Sequence, residues 1–263
     1  MSANHFLLTK WYLDCVAENG DTLILYVADL RWSGLSFHYG SVLTVLEGKV
    51  ACASSVRSSP LFAVTDQFIT VRQPSLKVDG TWEALRPAIR TTPFQNLNGF
   101  VDWHCLQPMS RVGLVFRGRT KISGLGYAEC LTLSILPWKL PLSTLHWGRY
   151  LSAEHAIVWI DWQGQAQYRS VLCNGEEMQA TSITESEIVL SDPGARLELD
   201  RGLVLRQGRL GDTVFPAISR LTDLLPRPML SVDECKWRSR GVFHTSSGES
   251  SGWAIHEVVK WQH

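Results

Sequence analysis

The chain has 263 residues, with twenty-five Lys and Arg set against twenty-five Asp and Glu and no stretch that concentrates one sign. That balance lacks the basic footprint a nucleic-acid backbone requires, and a length beyond the roughly 100–200 residues of one domain predicts two modules. Eleven residues are Trp, and each indole brings a large apolar area plus one donor to satisfy, which suits a broad β core or an apolar pocket.

Residues Met1 to Lys10 carry only the short apolar run Phe6-Leu7-Leu8, without the basic region and long apolar core of a secretory signal. No later segment approaches the roughly 20 apolar residues that span a bilayer. The expectation is a cytoplasmic protein with no transmembrane segment and at most peripheral membrane contact. Six cysteines, Cys15, Cys52, Cys105, Cys130, Cys173 and Cys235, form no C-x-x-C pair, so they read as buried, reduced strand thiols and not as a zinc site or disulfide scaffold.

Strand signals dominate. Thr22–Val27, Ser41–Leu46, Phe68–Val71, Val112–Phe116, Ala156–Ile160 and Glu187–Leu190 are short and rich in β-branched and aromatic residues. Turn chemistry recurs at Asn19-Gly20, Glu47-Gly48, Asp79-Gly80, Arg117-Gly118, Gln163-Gly164, Asn174-Gly175 and Gln207-Gly208, which is the rhythm of an antiparallel meander. Helical spacing occurs in Thr213 to Leu225, stopped by Pro226 and Pro228. Pro141 to Tyr150 has too many Trp, Pro and Gly for more than a turn of helix.

An internal similarity organises the chain further. Trp11 and Cys15 precede a turn, a strand and Ser33-Gly34-Leu35-Ser36-Phe37; Trp103 and Cys105 precede a strand, a turn and Ser123-Gly124-Leu125-Gly126-Tyr127 at similar spacing. This predicts a duplication, with a linker-like stretch at Pro93 to Gly99 separating an N-terminal half, residues 1–97, from a C-terminal barrel, residues 98–263.

The segments Trp103-His104-Cys105-Leu106-Gln107-Pro108, Gly124-Leu125-Gly126-Tyr127-Ala128-Glu129, Leu145-His146-Trp147-Gly148-Arg149-Tyr150 and Val158-Trp159-Ile160-Asp161-Trp162 resemble the carotenoid 1,2-hydratase (hydroxyneurosporene synthase) and AttH-like group of lipocalin-like proteins. Looser echoes occur in Trp11-Tyr12-Leu13-Asp14 and Gly252-Trp253-Ala254-Ile255-His256-Glu257. The resemblance implies an all-β fold of two consecutive lipocalin-like (calycin) antiparallel barrels with one short helix, and a ligand tunnel at or beside their junction. It also implies hydration of isolated isoprenoid double bonds, or, in similar folds, pericyclic cyclisation of a polyene. The hydratases carry a Gly-Tyr-x-Asp segment with a His and a Trp on an earlier strand; the matching positions are Tyr127, Glu129, Trp103 and His104, with Glu in place of Asp and a different order of His and Trp.

Protonating an unactivated alkene needs a carboxylic acid that keeps its proton, and burial favours the uncharged form. Glu129 fits that role. Tyr127, two residues away on a strand, shares its face and supplies a hydroxyl. Trp103, Trp147, Trp159 and Trp162 are candidates for the wall that stabilises a developing cation through the indole quadrupole, or else barrel packing. His104 is a candidate base or water-orienting group, or a satisfied strand histidine. His38 and Tyr39 follow the first copy of the repeat, where Tyr39 stands in the place of Glu129. Asp161, in an apolar run, needs a cation or solvent, and Arg149 is the expected partner, either structural or supporting the site.

No H-E-x-x-H, no clustered metal-ligand set, no G-x-S-x-G elbow and no glycine-rich phosphate loop occurs in the sequence. The expected partner is therefore an apolar small molecule, with no metal and no organic cofactor. The residues leave three readings open: an acid-catalysed hydratase, isomerase or cyclase of an unsaturated isoprenoid or polyene; a pericyclase working by shape; and a non-catalytic binder of lipid or pigment.

Overall fold

The computed structural model describes residues 6–56, 60–192, 194–213 and 227–261. The chain divides into two compact units between Lys139 and Leu140. The first unit contains β1 (Phe6–Val16), β2 (Thr22–Trp32), β3 (Leu35–Leu46), β4 (Lys49–Ser55), β5 (Leu61–Val64), β6 (Phe68–Gln73), β7 (Val78–Ala84), β8 (Ile89–Asn96), β9 (Gly99–Phe116) and β10 (Thr120–Leu133). The second contains β11 (Thr144–Leu151), β12 (Ala156–Gln163), β13 (Tyr168–Cys173), β14 (Glu176–Met178), β15 (Ala180–Ile183), β16 (Glu187–Leu190), β17 (Arg196–Leu199), β18 (Leu203–Arg209), β19 (Asp233–Thr245) and β20 (Gly248–Lys260). Two helical turns, α1 (Leu210–Thr213) and α2 (Arg227–Leu230), lie between β18 and β19. The helix expected over Thr213 to Leu225 falls almost wholly outside the described residues.

Each unit is one antiparallel sheet. The first runs β4-β3-β2-β1-β10-β9-β7-β6-β5, with β8 also pairing β9, and the second repeats it strand for strand as β14-β13-β12-β11-β20-β19-β17-β16-β15, with β18 also pairing β19. The first core joins Leu13, Leu25 and Val42 to Ile69, Val71 and Trp82, with Ala53 of β4 and Phe62 of β5 packed on it. Strands from both ends of the sheet thus bury side chains in one cluster, so the sheet curls into a nearly closed calyx. The second core does the same with Val171, Cys173 and Met178 from one end and Ala180, Ile183 and Ile188 from the other.

The domain boundary expected near residue 97 is corrected. Pro93 to Gly99 is a hairpin, not a linker: β8 and β9 pair through it, and Pro93 sits at a register shift between Thr91 and Phe94, where a strand tolerates a missing donor. Residues 99–133 complete the first sheet by pairing β10 with β1. The Trp11 and Trp103 segments therefore belong to one sheet and are not copies of a module. Two turn signals are also corrected. Asp79-Gly80 and Gln207-Gly208 lie inside β7 and β18; at Gly80 a Cβ would stand 2.8 Å from Leu114 Cβ and 2.9 Å from the Trp82 ring, so glycine serves close packing there. The stretch 141–150 is mostly strand β11. All six cysteines are free thiols, and Cys52 is exposed, not buried.

Candidate functional site

Register determines which side chains meet. In an antiparallel pair, directly opposed residues share a face. On β1 and β10, Tyr12 opposes Glu129 and Asp14 opposes Tyr127; Tyr12 also opposes Tyr26 on β2, and Glu129 opposes Cys105 on β9. Leu13, Cys15 and Ala128 point the other way, into the core. Tyr12, Asp14, Tyr26, Tyr127, Glu129, Cys105 and Trp103 therefore share the face of the first sheet that turns away from its core. These groups are nonetheless buried, with Glu129 6% exposed and Asp14 and Tyr127 0% exposed.

The cluster is hydrogen-bonded within itself. Tyr127 OH donates to Glu129 Oε2 at 2.7 Å, and Trp103 Nε1 donates to the same oxygen at 2.6 Å. On β1, Tyr12 OH donates to Asp14 Oδ2 at 2.9 Å. The Tyr12 ring meets the rings of Tyr26 and Tyr127 edge-on, with centroids 5.2 and 5.9 Å away. An indole N–H only donates, so Oε2 is an acceptor; a proton carried by Glu129 therefore sits on Oε1. Burial pushes the Tyr127 hydroxyl well above its ordinary pKa, helped by the nearby Cys105 and Glu129, so it stays protonated and serves as a donor. Burial likewise pushes the Cys105 thiol well up, which leaves it a poor nucleophile.

The structure adds Tyr12 and Asp14 to the residues predicted from sequence. A signal was present: Tyr12-Leu13-Asp14 has the same Tyr-x-acid spacing as Tyr127-Ala128-Glu129. The alternation that puts Tyr127 and Glu129 on one face does the same for Tyr12 and Asp14.

The other predicted residues separate. Trp103 is with Glu129, but His104, its neighbour on the strand, opposes Cys130, which opposes Trp11 on the core side. His104 and Glu129 thus lie on opposite faces; burial, then Arg90, lowers the histidine's pKa. His38 is paired with Asp29, whereas Tyr39 points to the other side of β3 by alternation. Trp147, Trp159 and Trp162 belong to the second unit. Trp159 is in its core, and Trp147 and Trp162 are on the opposite face.

The expected Asp161–Arg149 pair is corrected. Asp161 alternates with Trp159 on the core side, while Arg149 opposes Val158 on the other face. Asp161 is bonded instead to Arg169 Nε at 2.9 Å and Gln163 Nε2 at 2.8 Å, and Arg149 NH1 donates to the Trp253 carbonyl at 2.8 Å.

The second unit places a carboxylate, with its side chain 13% exposed, in the position that corresponds to Glu129. Glu257 opposes Trp147 on β11 as Glu129 opposes Tyr12 on β1. Its partner is Lys236, 1% exposed, which also lies 3.9 Å from Glu234 and 5.2 Å from the Trp147 ring centre. Arg206 closes the group at 2.7 Å from Glu234. Burial, followed by the charge of Glu257, raises the Glu234 pKa. Among the described residues, no three His, Cys, Asp or Glu side chains are grouped to hold a metal ion, and no helix is long and apolar enough to cross a membrane.

With the geometry established, comparison defines the class of fold as lipocalin-like: two consecutive curled antiparallel sheets. No family profile matches the chain, and no curated protein matches its sequence. Solved structures do match in three dimensions. CghA in complex with Sch210972 superposes with a TM-score of 0.64 at 10% identity, over 97% of this chain and 88% of CghA. Kievitone hydratase from Nectria haematococca gives 0.54 at 13% identity, over 98% and 90%. An AttH-type protein from Nitrosomonas europaea gives 0.57 at 8% identity, over 97% and 93%.

Proposed function

We propose that this chain is a cofactor-independent enzyme that protonates an apolar unsaturated small molecule of isoprenoid or polyene type and adds water to it. The carrying observation is the buried checkerboard of two acids and two tyrosines on β1 and β10, in which each tyrosine holds the acid on its own strand. Support also comes from the fold shared with kievitone hydratase and from the sequence resemblance to carotenoid 1,2-hydratases.

Glu129 delivers the proton on Oε1 to one alkene carbon, and the π electrons form the new C–H bond. Water attacks the cationic carbon and its spare proton passes to a carboxylate, so the product is the alkene plus one water. Two carboxyls on one face let one be acid while the other is base, as is usual where paired titratable groups differ in environment. Asp14 takes the base role. Trp103 and Tyr127 hold the Glu129 carboxyl at a fixed angle, and such positioning matters because misplacement by about an ångström costs on the order of a hundredfold in rate.

The test is incubation of the purified chain with farnesol, squalene and lycopene, with products read by mass spectrometry. The expected result is a product one water heavier from at least one polyene, abolished in Glu129→Gln. A cyclised product of unchanged mass that Glu129→Gln still forms would instead identify a pericyclase. Tight binding of a polyene without turnover would identify a lipid or pigment carrier.

A further inference from the structure

The interior of the second sheet holds a polar group that the proposed reaction does not use. His256 on β20 is 4% exposed. It lies on the core side, alternating with Ala254, and opposes Gly148 on β11 and Trp237 on β19. The Trp237 indole stacks on the imidazole with centroids 5.1 Å apart and planes 21° apart, while Trp159 leans against it at 6.3 Å and 42°. Gly148 is what permits this layer: a Cβ there would be driven into the Trp159 ring and against His256 Cβ.

Hydrogen bonding sets the tautomer. His256 Nε2 is 2.9 Å from Ser239 Oγ, and the Ser239 hydroxyl donates to the Asp200 carbonyl at 3.2 Å. A hydroxyl has one proton to give, so Nε2 carries the N–H and donates to Oγ. The neutral ring then has an unprotonated Nδ1, an acceptor, and Nδ1 makes no hydrogen bond among the described residues. Burial, then Lys236, pulls the His256 pKa down to about 4, which keeps the ring neutral at ordinary pH. Gly202 supports the relay, because a Cβ there would collide with Ser239 Oγ.

Access to this layer is asymmetric. Below it, Tyr150, Ala254 and Phe243 fill the interior as core. Above it, at the next core-side pair, His146 opposes Asp161, and Asp161 holds Arg169, whose side chain is 43% exposed. Toward the end marked by these residues, apolar packing thus gives way to polar groups and solvent.

We infer that the interior of the second unit binds a small, largely apolar alcohol or phenol, with its apolar body beside Trp159 and Trp237 and its hydroxyl donated to His256 Nδ1. The site enters from the end marked by His146, Asp161 and Arg169.

The experiment uses the full chain and two probes of like size, 2-naphthol and 2-methylnaphthalene, with affinity read by quenching of tryptophan fluorescence. One hydrogen bond to the neutral acceptor predicts about tenfold tighter binding of 2-naphthol. In protein labelled with ¹⁵N-histidine, 2-naphthol should shift the His256 Nδ1 resonance from its unprotonated position. His256→Phe keeps a ring under Trp237 and should equalise the two probes. Should that variant fail to fold, Ser239→Ala, which frees the tautomer, is expected to reduce the preference severalfold. Equal affinities in the wild-type chain, or 2-naphthol binding that leaves Nδ1 unmoved, would overturn the inference.

Discussion

Tyr12 and Glu129 are register partners across β1 and β10, two positions along from Asp14 and Tyr127, with Leu13 and Ala128 paired between them. Each acid therefore faces the tyrosine of the neighbouring strand while being held by the tyrosine of its own. The face is buried although it lies opposite the core of its sheet. Burying two carboxyls costs free energy unless their oxygens are bonded, and the tyrosines and Trp103 supply those bonds.

Removing one donor should separate support from chemistry. Tyr127→Phe leaves Glu129 Oε2 with one donor fewer in a buried place, and the expected stability loss is about 1–3 kcal/mol by urea denaturation. Asp14→Asn keeps the shape and removes the base; kcat should fall about 10²–10⁴-fold. KM should change little, because the carboxylate meets water and not the apolar chain.

The pH dependence of stability should carry a histidine signature. His256 has a folded pKa of about 4, depressed by burial from 6.5. The unfolded chain therefore takes up a proton first as pH falls below 6.5, and stability present above that value is lost down to about pH 4. Between pH 7.5 and 5 the loss assigned to this residue is about 2 kcal/mol. The difference in unfolding free energy between wild type and His256→Phe, measured across that window, isolates it from the carboxylates. A difference that stays constant would show that His256 does not titrate in this manner.

Gly148→Ala should be costly although it adds one methyl group. The added Cβ meets the Trp159 ring and His256 Cβ, and forced repacking of a dense core costs about 1–3 kcal/mol. A fall in Tm of about 2 °C or more is expected by calorimetry. Gly118→Ala, at a turn where a Cβ meets nothing within 4 Å, differs in mechanism: its φ of 73° strains any side chain, and the interior Trp fluorescence should be unchanged.

Lys236 stands between Glu234 and Glu257 with almost no exposure. Lys236→Met leaves the half-buried Glu257 without this cation, and truncating one member of a buried pair costs up to about 3–5 kcal/mol. Adding Glu257→Leu removes the stranded charge, so the double variant should recover much of the loss. Denaturation of both variants at pH 7 checks the sign.

The antiparallel meander, most strand positions and the pairing of Tyr127 with Glu129 were legible because they depend on period-two alternation and turn residues. Strand order was not. Trp11 and Trp103 look like equivalent starts of two modules, but β10 returns to pair with β1 in the middle of the first sheet, a long-range pairing that no local pattern encodes. The same limit hid Asp14, whose place beside Tyr127 exists only once those strands meet. Arg149 suits Asp161 by the chemistry of its fork, but alternation on paired strands puts the two on opposite faces; Arg169, directly across from Asp161, is the reachable cation.

Isotope labelling tests the proposed proton transfer most directly. In D₂O, the polyene hydrated by the chain should gain one deuterium on carbon next to the new carbinol centre, and Glu129→Gln of unchanged Tm should form no such product. Retention of most turnover by Glu129→Gln, or a hydrated product without deuterium on carbon, would contradict Glu129 as the acid.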